Sequence, residues 1–155
     1  MANASPLAEA LLRKGLKLVT AESCTGGLIS AACIELAGSS TWFERGFVTY
    51  SNAAKAEALG VDAALIASQG AVSEAVARAM AQGALAHSRA QVAVAVTGVA
   101  GPTGGSSAKP VGTVWFGFAL PDGVVSEVRR FDGDRSAVRA ATVDHALRRL
   151  VELIG

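Results

Sequence analysis

The chain has 155 residues, 51% of them apolar and 17% charged, a balance that excludes a solvated, disordered polymer. Its formal charge of +1 leaves no strong field to draw nucleic acid or an anionic membrane, and aromatics at 5% are too few for a base-stacking surface. The length is that of one domain, and two cysteines, Cys24 and Cys33, fit a reducing cytoplasm better than a disulfide scaffold.

In chain order, Ser5 followed by Pro6 predicts a helix N-cap with proline at the first helical position, and Gly15 stops that helix. The opening MANASPLAEALLRKG therefore reads as a capped helix and not as a leader. LKLVTAE (16–22) is a strand candidate, and CTGGLISAACIELAG predicts a turn feeding a helix that ends near Gly38. GFVTYS (46–51) alternates like a second strand. Ser51 is placed to cap a short helix running through Lys55 to Leu59, Asp62 another up to Gln69, and Ser73 with Glu74 a longer one to about His87. QVAVAVTG (91–98) is a run of β-branched residues and alanine, expected in mid-sheet with both faces covered. Residues 112–120 and 124–131 flank Pro121-Asp122-Gly123, a hairpin signal. Asp132 or Asp134 then caps a last helix, whose Val143, Ala146, Leu147, Leu150, Val151 and Ile154 form one apolar stripe. No apolar run is long enough to span a bilayer. The expected fold is α/β: a single three-layer domain over 1–155, with a mixed sheet flanked by helices, a late hairpin and a long C-terminal helix.

Three stretches offer chemistry. Ala21-Glu22-Ser23-Cys24-Thr25-Gly26-Gly27 joins a strand to a helix, where free N–H groups favour an anion or a developing oxyanion and a nucleophile can stand exposed. Its plainer use is a helix cap. In Tyr50-Ser51-Asn52-Ala53-Ala54-Lys55, the lysine falls in the first turn, at the wrong end of the helix dipole for an ammonium. Partial burial there would make it a general base; otherwise it is a solvated lysine or a phosphate ligand. The glycine-rich loop from Thr97 through Gly98, Gly101, Gly104 and Gly105, with Lys109 nearby, offers an anion nest or is simply mobile. Arg135 and Arg139 share a face at a helix start, which suits a bound anion or a solvated surface. Cys24 adjoins the first stretch as a candidate thiolate, while Glu22 either orients a base or water or pairs with a lysine. His87 and His145, without a cysteine or carboxylate pattern around them, point to neither a zinc site nor a Ser-His-Asp triad.

TAESCTGG, GSSTWFERGFVTYSNAAK, GAVSEAVARAMA, VTGVAGPTGGSSAKPVGTVWFG and FDGDRSAVR together resemble the CinA carboxy-terminal-domain family, and within it the stand-alone amidohydrolase branch. The resemblance runs from about residue 6 to 150. It implies hydrolysis of the nicotinamide amide of nicotinamide mononucleotide (NMN) to nicotinate mononucleotide and ammonia, with no metal and no organic cofactor. On this expectation neutral Lys55 takes the proton of Ser23, which attacks the amide, and N–H groups near Thr25, Gly26 and Gly27 hold the oxyanion. Tyr50 and Thr97 position the substrate, with Cys24, Ser39 and Ser51 near it. Gly98, Gly101, Gly104 and Gly105, with Lys109 or Arg135, hold the 5′-phosphate. Ser39, Ser40 and Ser51 are alternative nucleophiles. The expected partner is small-molecule NMN, not nucleic acid or membrane, in a cytoplasmic homo-oligomer with a dimer as its simplest form. Two other readings are action on a different amide, and a non-catalytic nucleotide-binding or regulatory module linked to competence and DNA damage.

Overall fold

The structure, a computed structural model, describes residues 2–155. Its elements run α1 (Ser5–Lys14), β1 (Leu18–Glu22), α2 (Leu28–Ile34), a short 3-10 turn (Ser39–Thr41), β2 (Phe43–Val48), α3 (Asn52–Leu59), α4 (Ala63–Gln69), α5 (Glu74–Ala86), β3 (Val92–Gly98), β4 (Thr113–Leu120), β5 (Gly123–Arg130) and α6 (Arg135–Ile154). One five-stranded sheet has the order β2-β1-β3-β4-β5. β2, β1 and β3 are parallel, and β4 and β5 join antiparallel as the expected hairpin.

The alternation of β3 builds two different cores. Val92, Val94 and Val96 face one layer and pack with Leu7 and Leu11 of α1, Ile29 and Cys33 of α2, and Val138, Leu147 and Leu150 of α6. Ala93 and Ala95 face the other and pack with Leu59 of α3, Ile66 of α4, and Val76 and Met80 of α5. The small face lets α5 lie close to the sheet. A Cβ at Gly117 of β4 would run into the carbonyl oxygen of Ala77, and one at Gly83 of α5 into that of Leu59. Helices thus cover both faces, giving the three-layer arrangement. No helix among the described residues is long and apolar enough to cross a membrane.

Several boundaries differ from the sequence expectation. Ser5 is the first residue of α1, not its cap; Ala4 occupies the cap position, and Asn3 Oδ1 accepts the Ser5 N–H at 3.0 Å. α2 ends at Ile34 and not near Gly38, and the 3-10 turn begins only at Ser39. β2 begins at Phe43 and ends at Val48, so Thr49–Ser51 leave the sheet to start α3. Of the two aspartates offered for α6, Asp134 is the cap, accepting from the Ala137 N–H at 2.9 Å. Ser51, Asp62 and Ser73 cap α3, α4 and α5 as expected.

The parallel strands bring Ser23 and Tyr50, which follow β1 and β2, and Gly98, the last residue of β3, to one end of the sheet. β1 lies between β2 and β3, so the chain departs to opposite sides of it. Such a switch point opens a crevice at the carboxyl ends of the strands.

Candidate active site

Ser23 is the first residue after β1. Its N–H donates to Val96 O of β3 at 3.1 Å, which fixes the residue against the central strand. Lys55 sits in the first turn of α3, a helix held in place by Ser51 Oγ accepting from the Ala54 N–H at 3.0 Å. Lys55 Nζ lies 3.1 Å from Ser23 Oγ and donates to Tyr50 O at 3.0 Å. Ser23 Oγ also lies 3.4 Å from Tyr50 O.

Lys55 is 1% exposed, and among the described residues no carboxylate pairs with it. Burial lowers its pKa from the ordinary lysine value, and the neighbouring Cys24 thiol opposes this more weakly. The misplaced helix dipole alone disfavours an ammonium by about 0.3–1 kcal/mol. Removing an unpaired ammonium from water costs several kcal/mol, so desolvation dominates. The result is an amine shifted toward its neutral form, beside a hydroxyl whose proton it can accept.

These groups face a cavity of about 250 Å³ lined by Ser23, Cys24, Tyr50, Asn52, Lys55, Thr97, Gly98 and Arg135, with Ala71, Val72 and Ala100 as its apolar part. A second hollow of about 480 Å³ continues past Ala100 and Arg135 toward Pro102, Val111 and Ser136. Thr97 Oγ1 donates to Ala71 O at 2.9 Å, joining β3 to the segment before α5. Arg135 donates to Gly101 O at 2.8 Å and reaches Tyr50 Oη at 3.5 Å, with no carboxylate partner among the described residues. That leaves a guanidinium at the cavity whose charge is open to an anionic ligand.

Other expected residues fall elsewhere. Ser39 belongs to the 3-10 turn before β2, which pairs with the start of β1, so it and Ser40 lie at the opposite end of the sheet from Ser23. The Ser51 hydroxyl is committed to capping α3 and does not line the cavity. Gly104 and Gly105 are exposed in a turn where Ser106 N–H donates to Lys109 O at 2.9 Å. Lys109 Nζ donates to Gln69 O at 2.9 Å and is outside the cavity lining. Gly101 is buried and serves Arg135 through its carbonyl.

The turn after Ser23 also differs from expectation. The Thr25 hydroxyl points inward and donates to Glu22 Oε1 at 2.6 Å, and the Gly26 N–H is taken by Ser23 O at 3.2 Å. Glu22 pairs with no lysine. Fully buried, it accepts from Thr25 Oγ1, the Ile29 N–H at 2.8 Å, and the Ser30 N–H and Oγ at 2.9 and 2.7 Å, closing the start of α2. Burial pushes the Cys24 thiol up to about 11, so it is no thiolate competitor to Ser23. Sequence reasoning did not assign Asn52, Ala71, Val72 or Ala100 to the site. Asn52 lies inside YSNAAK and was there to be found; the other three carry no chemical signal. It also left Arg139 on a solvated or anion-facing surface, whereas its Nε donates to Cys24 O at 3.0 Å and its Nη2 to Thr25 O at 3.2 Å.

The fold and site together are those of an α/β protein with a serine hydroxyl beside a buried amine, in a cleft that carries a guanidinium without a carboxylate partner among the described residues. The sequence pattern described as the CinA C-terminal domain matches residues 2–154. The chain is 60% identical over 131 residues to the nicotinamide-nucleotide amidohydrolase PncC of Enterobacter agglomerans, covering 84% of this chain and 80% of that protein. It is 55% identical over 150 residues to the PncC of Pseudomonas putida, covering 97% and 94% of the two chains. The crystal structure of competence/damage inducible protein CihA from Agrobacterium tumefaciens superposes with a TM-score of 0.94 at 48% identity, covering 98% and 93%. The chain belongs to the CinA C-terminal domain family.

Proposed function

We propose that this protein is a nicotinamide-nucleotide amidohydrolase, converting NMN and water to nicotinate mononucleotide and ammonia in pyridine nucleotide recycling. The activity is that named for its relatives at 52–60% identity. The observation that carries the mechanism is the buried, unpaired Lys55 amine 3.1 Å from Ser23 Oγ at the cavity.

In the reaction, neutral Lys55 accepts the Ser23 proton as Oγ bonds to the carboxamide carbon. The amide C=O opens to an oxyanion. The Ser23 and Gly26 N–H groups are already engaged, and of the turn after Ser23 it is Cys24 that lines the cavity, so its N–H is the donor placed to receive the oxyanion. The Lys55 ammonium then protonates the departing nitrogen; the C–N bond breaks, ammonia leaves and a serine ester remains. Water, deprotonated by Lys55, attacks the ester, and Ser23 recovers its proton as nicotinate mononucleotide departs. Arg135 holds the 5′-phosphate, while Tyr50 and Thr97 position the nicotinamide ribosyl portion. The reading carries with it a cytoplasmic location and a homo-oligomer, simplest as a dimer; the exposed apolar side chains Ile34 and Val48 near the free edge of β2 support assembly.

Incubating the purified protein with NMN and a chelator, and measuring ammonia, tests the proposal. Stoichiometric ammonia and nicotinate mononucleotide are expected, with none from Ser23→Ala. NMN binding without ammonia release would instead favour a nucleotide-binding module.

A further inference from the structure

Arg139 stands one turn beyond Arg135 on α6, yet it does not line the cavity. It is half-buried and has no carboxylate partner among the described residues. Two of its donors go to consecutive carbonyls 115 and 114 residues away, Cys24 O and Thr25 O, on the turn that carries Ser23. Charge-assisted bonds of this kind are stronger than neutral ones. From the other side, Glu22 grips the same turn through Thr25 Oγ1. The turn is therefore held between a buried carboxylate and a guanidinium.

Both carbonyls belong to the turn that carries Ser23, and Thr25 is fully buried and outside the cavity lining, so the grip reaches the reaction through the placing of Ser23. We infer that Arg139 is a positioning residue for the reaction: it clamps the Ser23–Gly26 turn through the Cys24 and Thr25 carbonyls and so holds Ser23 Oγ against the Lys55 amine. This rests on Ser23 being the nucleophile.

The test compares full-length Arg139→Ala, Arg139→Lys and Ser23→Ala on NMN, with the binding of nicotinate mononucleotide and the melting curve recorded for each. Misplaced catalytic geometry costs up to about a hundredfold, so kcat of Arg139→Ala should fall by about ten- to a hundredfold. KM and product affinity should stay within about twofold, because the lost interaction matters only in the transition state. Guanidinium ion at non-denaturing concentration should restore part of kcat in Arg139→Ala and do nothing for Ser23→Ala. A near-normal kcat in Arg139→Ala, or a fall in kcat that guanidinium does not relieve, overturns the inference. If Arg139→Ala does not melt cooperatively, Arg139→Lys decides. Lysine cannot span both carbonyls as a fork, so reduced kcat with unchanged KM and melting supports the clamp, and full turnover refutes it. Ammonia release by Ser23→Ala would overturn the nucleophile assignment itself. An inert Ser23→Ala beside a fully active Arg139→Ala removes only the clamp.

Discussion

At the scale of the residue, the behaviour of Lys55 follows from its burial without a counter-charge. Its folded-state pKa is lowered, so between that value and the ordinary lysine value the unfolded chain binds a proton that the folded chain does not. Stability therefore rises with pH across that window. Activity, which needs the neutral amine, is lost as pH falls through the lowered value. The log of kcat/KM against pH should climb with unit slope and then level off below the ordinary lysine range; a profile still climbing at that range would contradict the base role. Lys55→Arg keeps the charge but cannot accept a proton, so turnover should drop by about 10²–10⁴-fold while NMN still binds, as checked by calorimetry. Lys55 as a candidate base was legible through the family motifs and through the dipole argument. What sequence could not show was the choice among serines. Ser51 looks equally available in the string, and only the fold reveals that its hydroxyl is committed to the Ala54 N–H.

At the scale of the element, α6 brings Arg135 and Arg139 to the site, and it is anchored to β5 well away from it. Glu127 of β5 lies 2.6 Å from His145 Nε2 and 3.0 Å from Arg149 Nε. Burial acts to raise the Glu127 pKa, but the hydrogen bonds from His145 and Arg149 outweigh it and hold the carboxyl below its ordinary value. A carboxylate with a depressed folded pKa stabilises the fold above the ordinary carboxylate range, and the contribution disappears as pH falls through the folded value. Glu127→Gln should lower unfolding free energy by about 1–2 kcal/mol at neutral pH, read from the urea midpoint, with the gap to wild type closing in acid. An unchanged midpoint at neutral pH would show the cluster to be inert. Helix starts were the most legible elements, since Ser51, Asp62, Ser73 and Asp134 each combine the right side chain with a following helical run. β2 was read three residues late because Phe43-Glu44-Arg45-Gly46 lacks strand character. Gly46 is nonetheless required, as a Cβ there would collide with Ser30 Oγ and come within 2.7 Å of Thr20 Oγ1. That constraint belongs to α2 and β1, elements remote in the string.

At the scale of the whole molecule, the layers on the two sides of the sheet are unequal. Each side receives three helices, but the valine side packs larger side chains, whereas the alanine side admits α5 at close range. Gly117→Ala should cost about 1–3 kcal/mol, because the added methyl meets the backbone oxygen of Ala77 and not a yielding side chain. A melting temperature equal to wild type would show that α5 can retreat freely. The order of strands and helices was legible from turn residues and periodicity, but the reach of Arg139 across 115 positions to Cys24 was not, because no local pattern records it. The closed start of α2 decides, finally, which way a mononucleotide lies. Glu22 occupies the Ile29 and Ser30 amides that would otherwise welcome a phosphate. On the proposed function, the acidic tail of the substrate would then turn toward Arg135 of α6, with the ring end entering beside Lys55. On that reading the cleft would accept its guest in a single polarity.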